Sequence, residues 1–174
     1  KRSVLGLPPR SCLICGENAK VCARNRTHSM ELVRWRTAQI LNDYFKEQSA
    51  DQAAAAAVRA LLYEVSATPK PGLVDRQNSG SHSDMDFSTF VDSSVFCGSF
   101  QEMFRIGWDG AALPRPMLFE RLRFAGQGAE AAMLRATGGV NTHKGLIFSM
   151  GILCGAWAAI AADGPVPTRD RVLD

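Results

Sequence analysis

The sequence predicts an all-α fold: a helical bundle with one long ordered loop, preceded by an irregular cysteine-rich head. Three observations predict it. Apolar residues recur at helical spacing from about residue 27 to about residue 162. No five-residue β-branched run alternates with period two. The breaks between periodic stretches fall at prolines, glycines and capping residues.

Residues 1 to about 26 carry Pro8, Pro9 and Gly16 and show no helical period. Thr27 or Ser29 can cap a first helix, with Leu32, Trp35, Ile40, Leu41, Tyr44 and Phe45 at helical spacing to about Lys46. Ser49 reads as the N-cap of a second helix, which runs through Ala53 to Ala57, Val58, Leu61, Leu62 and Val65 until Pro69 forbids continuation. The alanines there predict a close helix–helix contact. After a loop over residues 67–85, Asp86 can cap a helix carrying Phe87, Phe90, Val91, Ser94, Val95, Phe100, Met103 and Ile106 to about Gly107. Pro114 and Pro116 open the next, from Met117 to about Ala136, with Leu118, Leu122, Ala125, Ala129, Ala132 and Met133 on one stripe. Gly138-Gly139 breaks it, and a last helix follows from about Thr142 to Ala162. Helices of about 15 residues with short connections favour antiparallel neighbours.

With 174 residues and 46% apolar content, the chain can bury one sizeable core, or one domain with an appendage. A net charge of +3 is too mild to argue for nucleic acid, although Arg2, Arg10, Arg24, Arg26, Arg34 and Arg36 make the first 36 residues basic. Five cysteines, an odd number with three near the start, argue against a secreted disulfide framework. The most apolar run, Leu146 to Ala162, is shorter than the ~20 residues of a membrane span and reads as a buried core helix. No signal peptide is recognisable at Lys1 to Leu7, and the expected location is cytoplasmic. Because the chain starts on Lys1 and stops at Arg169–Asp174, where another capped helix is beginning, it is expected to be a fragment.

The loop is the most informative segment. Thr68 to Asp86 gathers two prolines, two glycines and three aspartates with Lys70, Arg76 and His82 between two helical patterns. Long aperiodic connections in a compact domain are usually functional or disordered, and the aliphatic pair Leu73-Val74 argues for order. Carboxylates mixed with cations suit a metal–polyphosphate site. Asp75, Asp84 and Asp86 are the carboxylates, and for Asp86 plain N-capping is an equal reading. Lys70 and Arg76 are the phosphate partners, with surface charge as the alternative. Gly72 and Gly80 suit positive φ or simple turns. Asn141-Thr142-His143-Lys144-Gly145 precedes a helix whose free N–H groups, with Lys144, could receive an anion; a plain capped helix is the alternative. Glu64 and Glu130 lie on alanine-rich helices as second-rank candidates for base or metal ligand.

Glu64 to Asp86, read as EVSATPKPGLVDRQNSGSHSDMD, resembles the signature of the triphosphoribosyl-dephospho-CoA synthase family. Gly139 to Gly145, followed by Ile147-Phe148-Ser149, is similar to a second block of that family, and the similarity covers about Gln48 to Gly164. The resemblance implies transfer of the triphosphoribosyl group of ATP to the 2′-hydroxyl of 3′-dephospho-CoA with release of adenine. The product is the prosthetic-group precursor of citrate lyase or of malonate decarboxylase. Inversion at C1′ by direct displacement then needs a base on the incoming hydroxyl, help for the departing adenine, and Mg²⁺ with cations on the triphosphate. Asp75, His82, Asp84 and His143 are the expected catalytic residues; Lys70, Arg76, Asn141 and Lys144 bind substrate; Asp75, Asp84 and Asp86 hold Mg²⁺. Asp75 is expected to be catalytic rather than structural, pinned by Leu73-Val74 and kept ionised by Arg76. Lys70, Asp75 and Arg76 should face His143 and Lys144 across one site.

The head carries Cys12-x2-Cys15-x6-Cys22-x5-His28, ligand types and spacing suited to tetrahedral zinc. Reduced structural thiols are the alternative. Arg10 to Ser29 also resembles the end of the holo-citrate lyase synthases (phosphoribosyl-dephospho-CoA transferases), which implies a junction in a bifunctional protein: a transferase tail over about 1–47, then the front of a synthase over 48–174. The citrate lyase acyl carrier protein would be the partner of the fused transferase. Cys97 and Cys154 read as core. Two other classes compete: an α-helical metal-dependent phosphohydrolase or ADP-ribosyl hydrolase-like enzyme, disfavoured by the lack of a His-Asp doublet, and a zinc-headed, non-catalytic interaction module.

Overall fold

A computed structural model describes residues 2–164; the helix expected to begin at Arg169 lies outside them. The chain divides into two units, Lys1–Phe45 and Lys46–Asp174.

In the first unit a 3-10 turn spans Arg2–Leu5 and a short helix, α1, spans Ala19–Asn25. The sequence pattern did not reveal α1, because seven residues are too few for a 3.6-residue period to show. Its capping is local: Asn18 Oδ1 accepts from Lys20 N at 3.0 Å, and Arg26 closes it in the left-handed conformation. The next helix, α2, spans Met30–Ser66 and is capped by Ser29, whose Oγ accepts from Leu32 N at 3.2 Å. Leu32, Trp35, Leu41, Tyr44 and Phe45 are exposed.

One correction concerns α2. The sequence reads two helices with a new cap at Ser49, but the helix runs unbroken through it. Lys46 to Gln52 contains neither Pro nor Gly, so a serine that suits a cap is also tolerated inside.

In the second unit Ala50, Ala53, Ala57 and Leu61 form the buried face of α2. Ala50 and Ala53 pack with Phe104 and Ala158, the close contact expected of the alanine stretch. Asp86 caps α3, Phe87–Ser93, through a capping box with Thr89. A 3-10 segment, Ser94–Gly98, then separates α3 from α4, Ser99–Asp109, where the sequence predicts one helix. Ser93, Ser94, Gly98 and Ser99 make that stretch a weak helix former, and the tighter 3-10 winding turns the register. As a result Val91 and Val95 are exposed, while Phe96, Phe100, Met103 and Phe104 are buried. Each buried phenylalanine contributes on the order of 1.5–3 kcal/mol of transfer free energy.

Helix α5 spans Arg115–Ala136, starts on Pro114 and Pro116 as expected, and stops before Gly138-Gly139. Helix α6 spans Lys144–Ala162. Residue pairing fixes the directions. Lys46–Asp109 (2.8 Å), Glu47–Arg105 (2.6 Å) and Asp51–Gln101 set α2 antiparallel to α4. Contacts of Gly110 with Leu118 and Gly126 with Met103 set α4 antiparallel to α5, and Glu130–Lys144 with Phe119–Phe148 set α5 antiparallel to α6. Among the described residues α6 is long and apolar enough to cross a membrane, at 19 residues and mean hydropathy 1.9. It spends one face on the core through Ile147, Gly151, Cys154, Gly155 and Ala158. The described residues contain no strand, only a single bridge between Ser11 and Asn18, so the architecture is all-α.

Candidate functional site

The loop between α2 and α3 is built around Asp75. Val74 and Asp75 are buried, whereas Leu73, expected to anchor the loop as well, is 55% exposed. Asp75 Oδ2 accepts from Lys70 N at 2.9 Å; Oδ1 accepts from Gln77 N at 2.8 Å and Asn78 N at 3.0 Å. The amide of Lys70, then that of Gln77, holds the carboxyl below its ordinary range. Backbone amides therefore keep Asp75 ionised, in the role expected of Arg76. The Arg76 guanidinium lies 5.7 Å over the Phe87 ring instead. Gly72 and Gly80 both take positive φ.

Lys70 Nζ pairs with Glu64 Oε1 at 2.8 Å, joining the loop to the end of α2. His82 Nδ1 stands 3.9 Å from Asp84 Oδ1, both exposed. Asp86 uses Oδ1 on Ser88 Oγ, Thr89 N and Thr89 Oγ1, and its carboxyl is held down to about 2 chiefly by the Ser88 hydroxyl. Asp75, Asp84 and Asp86 thus have three different tasks. Among the described residues they are not a group whose ligand atoms converge.

His143 is 7% exposed and sits at the N-cap of α6, against the edge of Phe90 at 4.7 Å and beside Phe96 at 5.2 Å. Its Nδ1 lies 2.9 Å from Ser93 Oγ and 3.0 Å from Thr142 Oγ1. Ser93 donates its one proton to Phe90 O at 2.7 Å, so Nδ1 carries the hydrogen and donates to Ser93. Nε2 is then the lone-pair nitrogen. It is buried with no hydrogen-bond partner. Burial pushes the imidazole below its ordinary 6.5; the nearby Glu64 carboxylate raises it and Lys70 lowers it. His143 lines an apolar pocket of about 280 Å³ with Phe87, Phe90, Val91, Leu61 and Leu62.

The next residue faces elsewhere. Lys144 Nζ pairs with Glu130 Oε1 at 2.7 Å, in a cleft of about 490 Å³ between α5 and α6 that also takes Arg123, Gln127 and Phe148. Asn141 Oδ1 accepts from Lys144 N at 3.2 Å and acts as a helix cap. Val65 and Ser66, which follow Glu64 at the end of α2, line the same pocket as His143, whereas Lys144 stands in another cleft. Sequence reasoning missed Ser93. A serine three residues after Phe90 on a buried face was its available signal.

In the first unit Cys12 N donates to Glu17 O at 2.6 Å, and Gly16, at φ +78°, closes the turn. Backbone N–H groups of Cys15 and Ile14 donate to Cys12 Sγ and pull that thiol down to about 6. Sharing with Cys15 pushes Cys22 up to about 11.

The Glu64–Asp86 loop and the Gly139–Gly145 turn both fall inside one family match. Residues 50–172 match the family of ATP:dephospho-CoA triphosphoribosyl transferases, and the chain belongs to that family. Residues 1–44 match the apo-citrate lyase phosphoribosyl-dephospho-CoA transferase family, so the two matches follow one another as in a fusion. The chain is 42% identical over 172 residues to Protein CitXG of Leuconostoc mesenteroides subsp. cremoris, covering 94% of this chain and 36% of that protein. It is 41% identical over 163 residues to Protein CitXG of Haemophilus influenzae, covering 92% and 34%. A probable 2-(5''-triphosphoribosyl)-3'-dephosphocoenzyme-A synthase of Streptococcus pyogenes is 52% identical over 110 residues, covering 63% and 37%. The chain thus spans about a third of the length of these relatives. No solved structure matches it.

Proposed function

We propose that the protein to which this chain belongs transfers the triphosphoribosyl group of ATP to the 2′-hydroxyl of 3′-dephospho-CoA, with His143 as the base. The observation that carries this reading is the buried, unpaired Nε2 of His143, in a chain of this family. The 2′-oxygen bonds to C1′ of the ATP ribose as the bond from C1′ to adenine breaks. The hydroxyl proton goes to Nε2, and adenine leaves with a proton taken up from solvent or a neighbouring acid. A neutral imidazole at physiological pH, held by Ser93 and Thr142, suits that task.

Lys70, Arg76 and Lys144 supply positive charge for phosphate groups, Lys70 and Lys144 by exchanging Glu64 and Glu130 for the ligand. Mg²⁺, if bound with the triphosphate, would offset its charge and would need a carboxylate to hold it. Of the three aspartates expected to hold it, Asp84 is the one that neither staples the loop nor caps a helix. His82, paired with Asp84, is a second candidate for proton transfer. The product would pass to the citrate lyase acyl carrier protein through the transferase matched at residues 1–44. A cytoplasmic location accords with these substrates.

The test is adenine release by the full-length protein from ATP and 3′-dephospho-CoA. His143→Asn should lower it by about 100-fold or more, the lower range for loss of a general base. Unchanged turnover in that variant would remove His143 from the chemistry; no adenine release by the wild-type protein would remove the reading itself.

A further inference from the structure

We propose that the cysteine-rich head is a structural zinc site made by Cys12, Cys15, Cys22 and His28. The Sγ atoms of the three cysteines and a ring nitrogen of His28 all lie within 4.8 Å of one another. Cys15 Sγ is 3.5 Å from Cys22 Sγ and 3.3 Å from His28 Nε2. Zn–S bonds of ~2.3 Å and a Zn–N bond of ~2.0–2.1 Å give a tetrahedron with edges of about 3.5–3.8 Å, close to these separations. All five cysteines of the chain are free thiols in this arrangement, and 3.5 Å is far from a disulfide bond.

The backbone is shaped for a metal. The bond from Cys12 N to Glu17 O and the left-handed Gly16 fold Cys12-Leu13-Ile14-Cys15-Gly16 into a tight knuckle that turns both sulfurs to one side. Helix α1 then presents Cys22, and the chain after Arg26 returns His28. Three thiolates with Zn²⁺ leave one net negative charge, and Arg10 and Arg26 line the same cavity as Cys12, Cys22 and His28. Four protein ligands leave no open position, so the role is structural rather than catalytic.

Within the first unit, full burial falls on one of the four proposed ligands. Among its described residues Cys22 is the one that is buried, while Val4, Leu5, Leu13, Val21 and Trp35 are exposed.

The experiment is metal analysis of full-length protein purified without chelator. About one zinc per chain is expected, with tetrahedral Co²⁺–thiolate absorption after exchange into cobalt. Cys12→Ser and Cys22→Ser should each lower the zinc content at least 10-fold, whereas His28→Cys, which supplies a fourth thiolate, should keep it. Less than about a tenth of an equivalent in folded wild-type protein would overturn the site. So would a Cys15–Cys22 disulfide found by mass spectrometry, or zinc that persists at full occupancy in both serine variants. Wild-type stoichiometry and the His28→Cys result stand even if the serine variants fail to fold.

Discussion

His143 owes its properties to its neighbours. Phe90 and Phe96 exclude water, Ser93 and Thr142 fix the Nδ1 tautomer, and Nε2 is left with a lone pair and no partner. Its pKa lies below 6.5 because burial disfavours the imidazolium. A base must be deprotonated, so kcat/KM for adenine release should fall as pH drops through a value below 6.5. In His143→Asn that acid limb should disappear, leaving a flat profile at low rate; a limb that stays would belong to another group. Asp75 leads to the opposite kind of prediction. Its three amide hydrogen bonds bind residues 70, 77 and 78 together, so Asp75→Asn should lower the melting temperature and speed proteolysis within residues 67–85. An unchanged melting temperature with lost turnover would return Asp75 to the catalytic role that the sequence suggested.

At the scale of elements, the crossing of α4 and α6 rests on glycine. A Cβ at Gly107 would collide with Gly155 O and lie 2.7 Å from Gly155 Cα, so the two helices could not keep their separation. Gly107→Ala should therefore destabilise by about 1–3 kcal/mol or more in urea titration. Gly128, inside α5, has open space where a Cβ would stand, with nothing within 4 Å. Gly128→Ala should stabilise by about 0.5–1 kcal/mol, because alanine loses less backbone entropy in a helix. Similar effects from both substitutions would mean that the α4–α6 contact is looser than these distances imply.

For the whole molecule, acid should act through carboxylates held by the fold. Asp86 is lowered to about 2, and Asp75 and Glu47 lie below their ordinary values. A depressed carboxyl stabilises the folded chain above its unfolded pKa of about 4, and that stability is lost as pH falls through the folded value. His143, also depressed, acts in the same direction from 6.5 downward, because the unfolded imidazole takes a proton that the folded one refuses. Melting temperature should thus decline gently below pH 6.5 and steeply between about pH 4 and pH 2. Far-ultraviolet circular dichroism at neutral pH should be that of a helical protein; a β-dominated spectrum would contradict the architecture.

What the sequence determined by itself is what depends on neighbours along the chain. Helical periods, the Asp86 cap, the Pro114–Pro116 start, the Gly138-Gly139 stop and the two family motifs are all local patterns. The convergence of Cys12, Cys15, Cys22 and His28 was also legible, since the four fall within 17 residues of chain. The tertiary structure decided what local patterns cannot carry. It chose a continuous α2 over a cap at Ser49, and it turned the register at Ser94–Gly98 so that Phe96 and Phe104 went inside. It gave Asp75 to the loop's own amides, set the end of α2 on the pocket of His143, and sent Lys144 to Glu130. Those outcomes hinge on burial and on which partner is met in space, from Lys70, Gln77 and Asn78 for Asp75 to Ser93, 50 residues away, for His143, and no one-dimensional period encodes such a choice.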